Sequence, residues 1–180
     1  VSVINRSGGS ATLTGTVTAT GTSGGIAIGN NTGGTVDFQG NLSLTGSTTD
    51  ISVSNTSGGT YTFSGATKTV NTSAGTAAAV QVVNSAGATI NFTGGGLDID
   101  TSTGVGFTAD SGTINVTGAG NTINTATGRI LGWTGVTVGS GGVSFQTLAS
   151  SGITVGNAID LDNVDGAGNI FSGGNVTVAG

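Results

Sequence analysis

The eleven residues NNTGGTVDFQG, from Asn30 to Gly40, return as NTSGGTYTFSG from Asn55 to Gly65 and as NSAGATINFTG from Asn84 to Gly94. An earlier copy, NRSGGSATLTG, spans Asn5 to Gly15, and a shortened one, ADSGTINVTG, spans Ala109 to Gly118. Each copy joins a small-residue turn to an apolar alternation and closes on Gly. Period-two alternation marks a strand with one buried and one wet side. Recurrence at a fixed interval marks a repeat architecture.

Working outward, an alternation precedes each copy: Val1/Val3, Ile26/Ile28, Ile51/Val53, Val80/Val82, Val105/Phe107, Ile130 and Ile153/Val155. The steps between first members are 25, 25, 29, 25, 25 and 23 residues, the long one absorbed by the small residues TSAGTAAA from Thr72 to Ala79. Inside the phrase the second alternations are Ala11/Leu13, Val36/Phe38, Tyr61/Phe63, Ile90/Phe92, Ile114/Val116, Val136/Val138 and Ile159/Leu161. A third follows at Val17/Ala19, Leu42/Leu44, Leu97/Ile99, Val143/Phe145 and Val176/Val178, reduced to Val70 and Ile123 in the third and fifth units. One unit of three short strands cannot close a core. Stacked units can, each strand pairing with its equivalent one turn on at about 4.8 Å.

The pattern therefore predicts an all-β fold, a parallel β-helix (solenoid) of about seven coils of roughly 25 residues, three short strands per coil, in one domain over 1–180. It is expected to be right-handed, as parallel crossovers are. Phe38, Phe63 and Phe92 should stack, and Asn5, Asn30, Asn55 and Asn84 should form an inward ladder at the turn. An antiparallel sandwich would need hairpin signals and no such period. The calcium-binding nonapeptide roll would need its Gly-Gly-x-Gly-x-Asp signature, which is missing.

Composition narrows the function. The 180 residues hold 37 Gly and no Pro, Cys, Met or His, and charged residues make up 6% against about 25% in ordinary domains. The net charge of −5 comes from eight acidic residues, all Asp, against Arg6, Lys68 and Arg129. So few cations disfavour nucleic acid and anionic membranes, and no apolar run reaches the ~18 residues of a spanning helix. No Cys means no thiolate metal site and no thiol nucleophile.

GGTVDFQGN at 33–41 resembles the β-helical passenger repeats of bacterial autotransporter adhesins. INFTGGGLDIDTSTGVGFTADSGTINVTGAGNTINTATG at 90–128 resembles the repeats of very large bacterial β-strand-repeat surface proteins. The resemblance implies a secreted, cell-surface structural role as a stalk, filament subunit or adhesin segment. It carries no catalytic residues. Partners expected from this reading are copies of the chain or flanking repeats stacked end to end, and surface glycans. The first alternation opens at Val1, so the chain reads as a mature product or an excised segment.

Four features are candidates for chemistry. Asp160, Asp162 and Asp165, with Asn163, Gly166 and Asn169, lie one residue off an Asp-x-Asp-x-Asp-Gly loop. They form the candidate Ca²⁺ site, since Ca²⁺ takes six to eight oxygen ligands on a turning loop; otherwise they are an acidic surface loop. Asp98 and Asp100 flank Ile99 on one outward face. They support an alternative carbohydrate-binding or carbohydrate-active reading, since paired carboxylates serve glycosidases. Thr-x-Thr pairs at Thr12/Thr14 and Thr60/Thr62 suggest an ice-type lattice, but aligned with Asp37/Gln39 and Asn91/Thr93 they give a broken row. Trp133 and Phe171 break the small-residue pattern near the last two coils; Trp133 is placed as filling a wider core, with a sugar-stacking or subunit contact as the alternative. Sequons such as Asn91 and Asn115 follow from the composition. No catalytic residues are assigned.

Overall fold

The computed structural model describes the chain except residues 23, 47, 74, 155, 167–171 and 180. The expected Asn169, Val155 and Phe171 lie outside the described residues. Every described regular element is a strand, and every pairing is parallel. The chain is a β-solenoid of about seven turns.

Three strand faces result. The first stacks Ser2–Ile4, Ile26–Gly29, Ile51–Ser54, Val80–Val83, Phe107–Ala109, Leu131–Thr134 and Ile159–Asp162. The second stacks Ser10–Leu13, Thr32–Phe38, Gly58–Phe63, Thr89–Phe92, Thr113–Val116, the start of Thr137–Ser150, and Asp165–Gly166. The third stacks Val17–Gly21, Leu42–Gly46, Lys68–Thr72, Leu97–Thr101, Thr122–Thr125, the end of Thr137–Ser150, and Ser172–Val178. Strand Thr137–Ser150 serves two faces because the register jumps from Ile114↔Val138 to Val116↔Val143, bulging out Gly139 to Gly142.

The buried rows follow the pattern. Phe38 and Phe63 stack with centroids 4.9 Å apart and planes 11° apart, and Phe63 and Phe92 at 4.8 Å and 13°. Phe107 then turns edge-on to Phe92, and Trp133 lies edge-on to Phe107 at 5.1 Å. Trp133 is buried on the row Val82, Ala109, Trp133, Leu161. It fills the core, and the small Ala109 below makes room. Val70 and Ile123, weak as lone apolar residues, are fully buried in complete strands.

Three expectations are corrected. Asn5, Asn30, Asn55 and Asn84 do not point inward: they are exposed, with φ of 58°, 55°, 51° and 51°. Asn tolerates the left-handed region better than other residues with a side chain, so this row makes the corner between first and second faces. Gly135 (φ 65°) and Asn163 (φ 50°) continue it. The inward residue is the next one: Asn31, Thr56 and Ser85, all buried. They satisfy the corner backbone. Arg6 donates its N–H to Asn31 Oδ1 at 2.7 Å, and Thr56 donates its N–H to Ser85 Oγ at 3.4 Å.

Second, Ile159 and Leu161 belong to the first face, opposite Leu131 and Trp133, not to the second. Third, Val143 ends the second-face row, and the third-face partner of Ile123 is Leu148. Both shifts come from the bulge, which lengthens the sixth coil by residues that alternation alone does not separate from a strand.

Candidate functional site

The acidic loop divides at the corner. Asp160 and Asp162 face outward on the last first-face strand, Asn163 makes the left-handed turn, and Asp165 begins the second face opposite Thr137. Asp160 is ion-paired with Arg129, Nη1 to Oδ2 at 3.2 Å, and Arg129 Nε also donates to the Asn157 carbonyl. Asp165 Oδ1 accepts the Gly166 N–H at 2.8 Å. Among the described residues, no group of three or more acidic side chains is arranged to hold a metal ion.

Asp98 and Asp100 do share the outward side of one third-face strand. Each is tied to the coil above: Thr122 Oγ1 donates to Asp98 Oδ1 at 2.6 Å, and Asn124 Nδ2 donates to Asp100 Oδ1 at 3.2 Å. The pair is thus part of a hydroxyl–amide–carboxylate ladder on a flat face. No cation of the chain bonds to either carboxylate among the described residues.

An open groove of about 600 Å³ lies at the first–second corner of the middle coils, lined by Ser57, Asn84, Ala86, Gly87, Asp110 and Ser111. Asp110 Oδ1 accepts from the Asn84 N–H and the Ser111 hydroxyl, both at 2.7 Å. A side chain at Gly87 would collide with the Ser57 carbonyl, so glycine lets the two coils approach closely there.

The second face carries the most regular surface. Ser10, Thr35, Thr60, Thr89, Thr113 and Thr137 are directly paired from coil to coil. Beside them run Thr12, Asp37, Thr62, Asn91 and Asn115, and then Thr14, Gln39, Ser64, Thr93 and Thr117. Sequence reasoning missed the first row by two residues, setting Thr60 beside Thr12 when its partners are Thr35 and Thr89. The signal was present: each copy of the repeated phrase carries Ser or Thr just before its apolar pair.

Polar groups inside the coils were also missed. Lys68 is fully buried between Leu42 and Leu97, its Nζ donating to the Gly65 and Gly95 carbonyls at 2.6 Å each. Burial holds its pKa below the ordinary lysine value. Asp50 is buried, accepts from Thr72 Oγ1 at 2.8 Å, and its Oδ1 has no partner among the described residues. Desolvation raises its pKa, partly offset by the Thr72 and Gly46 hydrogen bonds. Tyr61 donates its hydroxyl to the Gly58 carbonyl at 3.0 Å, and its pKa is raised, chiefly by burial.

Comparison with known proteins adds no relative: no family model, no curated protein and no solved structure matches the chain.

Proposed function

We infer that the chain is a structural element of an extracellular, cell-surface assembly: a stalk or filament segment, or the shaft of an adhesin, without catalytic activity. The observation that carries the reading is the stacking of three parallel strand faces along about seven coils. Each backbone group that pairs upward also ties a coil to its neighbour, so bending the rod means breaking many hydrogen bonds at once. The sparsely charged surface and the likeness of residues 33–41 and 90–128 to bacterial surface repeats support the same reading.

Its partners are flanking repeats or copies of the same chain, stacked end to end. Inward-facing Val1 at 48% exposure, Leu161 at 43% and Val176 at 54% leave apolar area at the two outermost described coils, and unpaired strand edges accept further strands. Negative-stain microscopy over a concentration series tests the stacking: rods that lengthen with concentration are expected, and short particles of fixed length at every concentration refute it. A polysaccharide panel tests the rest. Turnover that disappears in Asp98→Asn or Asp100→Asn would replace the structural reading with an enzymatic one.

A further inference from the structure

We propose that the outer surface of the second face binds ice. The face is a two-dimensional lattice rather than a line. Successive coils repeat at about 4.8 Å across the strands, and outward residues repeat at about 6.7 Å along them. Both repeats lie close to oxygen spacings on crystal faces of ice. The first row runs Ser10, Thr35, Thr60, Thr89, Thr113, Thr137. The third row continues the ladder with Ser64, Thr93 and Thr117, so coils three to five each carry a hydroxyl, a hydroxyl or amide, and a hydroxyl, the Ser64 hydroxyl being donated to Asp37 Oδ1 at 2.6 Å.

Three observations separate this face from an ordinary solvated sheet. None of the hydroxyls of Thr35, Thr60, Thr89, Thr113 and Thr137 has a hydrogen-bond partner among the described residues, so the whole first row is free to bond water. The middle row, by contrast, is locked. Gly141 donates its N–H to Asn115 Oδ1, Asn115 Nδ2 donates to Asn91 Oδ1 at 2.8 Å, and Asn91 Nδ2 donates to Thr62 Oγ1. That chain of bonds fixes the spacing from coil three to the bulge. Finally, among the described residues no charged side chain lies on this face's strands in coils three to five; Asp37 and Asp165 lie on coils two and seven, and Asp110 at the adjoining corner.

Such a surface fits crystalline water better than a soluble ligand. Among the described residues it has no exposed aromatic ring to stack on a sugar. Threonine offers a methyl beside each hydroxyl, so water over the rows is bonded at fixed points and excluded between them. Bridging waters of this kind hold nearly as well as direct hydrogen bonds. The third face, though rich in Thr, is interrupted at mid-length by Asp98 and Asp100.

The inference goes beyond the structural reading and does not depend on it: a rod without ice affinity leaves that reading standing. The test is thermal hysteresis and ice-recrystallisation inhibition of the whole chain, with Thr89→Lys, Thr113→Lys and, on the third face, Thr69→Lys. Faceted ice growth and hysteresis are expected for the native chain and for Thr69→Lys, and loss of both for Thr89→Lys and Thr113→Lys. Partition of the fluorescently labelled native chain into a growing ice crystal checks the same point without any variant. Absence of hysteresis and of partition, or activity retained in both second-face variants, overturns the proposal. So does retention on crystalline cellulose in a chain that leaves ice growth unchanged.

Discussion

Lys68 reaches the carbonyl of Gly95 on the next coil at 2.6 Å from inside the apolar interior. Its neighbours in the row, Leu42 and Leu97, are apolar. The ammonium group stands where a leucine would pack, because the glycine corners at Gly65 and Gly95 turn their carbonyls inward and need a donor. Lys68→Met keeps the volume and removes the donor. We expect a loss of about 1–3 kcal/mol, the cost of leaving buried acceptors unpaired, measured by urea unfolding at neutral pH.

The pH dependence of that difference is diagnostic. The folded-state pKa of Lys68 is below 10.5, so between the two values the unfolded chain holds more protons. Stability then rises with pH across this window. The gap between the native chain and Lys68→Met should widen on alkaline titration. Tyr61, with a raised value, acts in the opposite sense above pH 10.0, where stability falls with pH; comparison of the two chains below that pH isolates Lys68. A gap that stays constant or narrows contradicts the assignment.

Asp50 gives the complementary acid limb. Its folded-state pKa lies above 3.8, so its contribution is fully present below pH 3.8 and is lost as pH rises through the raised value. Asp50→Asn keeps the shape and can still accept from Thr72. It should be more stable than the native chain at neutral pH, and the two should converge at pH 3.8 and below. Thermal melts at both ends of the range decide.

Phe63 lies between Phe38 and Phe92 in the ring stack. Phe63→Ala is expected to cost about 3–5 kcal/mol, the transfer energy of the ring plus the cavity left in a close-packed row. Denaturant midpoints at an unchanged slope would confirm a cavity rather than a rearranged chain.

At Gly59 the backbone has φ +103°, and a Cβ would lie 2.6 Å from Tyr61 Oη. Gly59→Ala therefore suffers both backbone strain and a clash. It should lose about 1 kcal/mol or more from the incompatible φ, plus the steric part. Adding Tyr61→Phe removes the shortest contact and leaves the backbone strain and the 3.0 Å approaches to the Gly34 carbonyl and the ring Cζ. Partial recovery in the double mutant is the expected result of the cycle; full recovery or none rejects this division.

What could be read from the chain and what could not divides along a physical line. The inward rows were legible because burial forces apolar residues to recur: the Phe38, Phe63, Phe92 stack needed only spacing. The corner was misread, since an Asn that ends an alternation looks inward until its φ is known, and the left-handed backbone swings it out. Lys68 was invisible as a core residue because its reason for being there, two carbonyls from different coils, is a three-dimensional one. The threonine row was written before each apolar pair, yet outward residues are free of the burial constraint. Only the strand register, fixed at Thr35↔Thr60 and Thr60↔Thr89, brings them into line.

The left-handed corner also sets how the chain tolerates changes of length. Gly29 and Ser54 are register partners, and each is followed by an Asn of nearly the same conformation, φ 55° at Asn30 and 51° at Asn55. Removing residues 30–54 would join Gly29 to Asn55 without altering the path of the backbone on either side. The corner is thus a natural seam: whole coils can be duplicated, excised or exchanged there, and the length of the rod becomes a quantity that gene rearrangement adjusts in units of one turn.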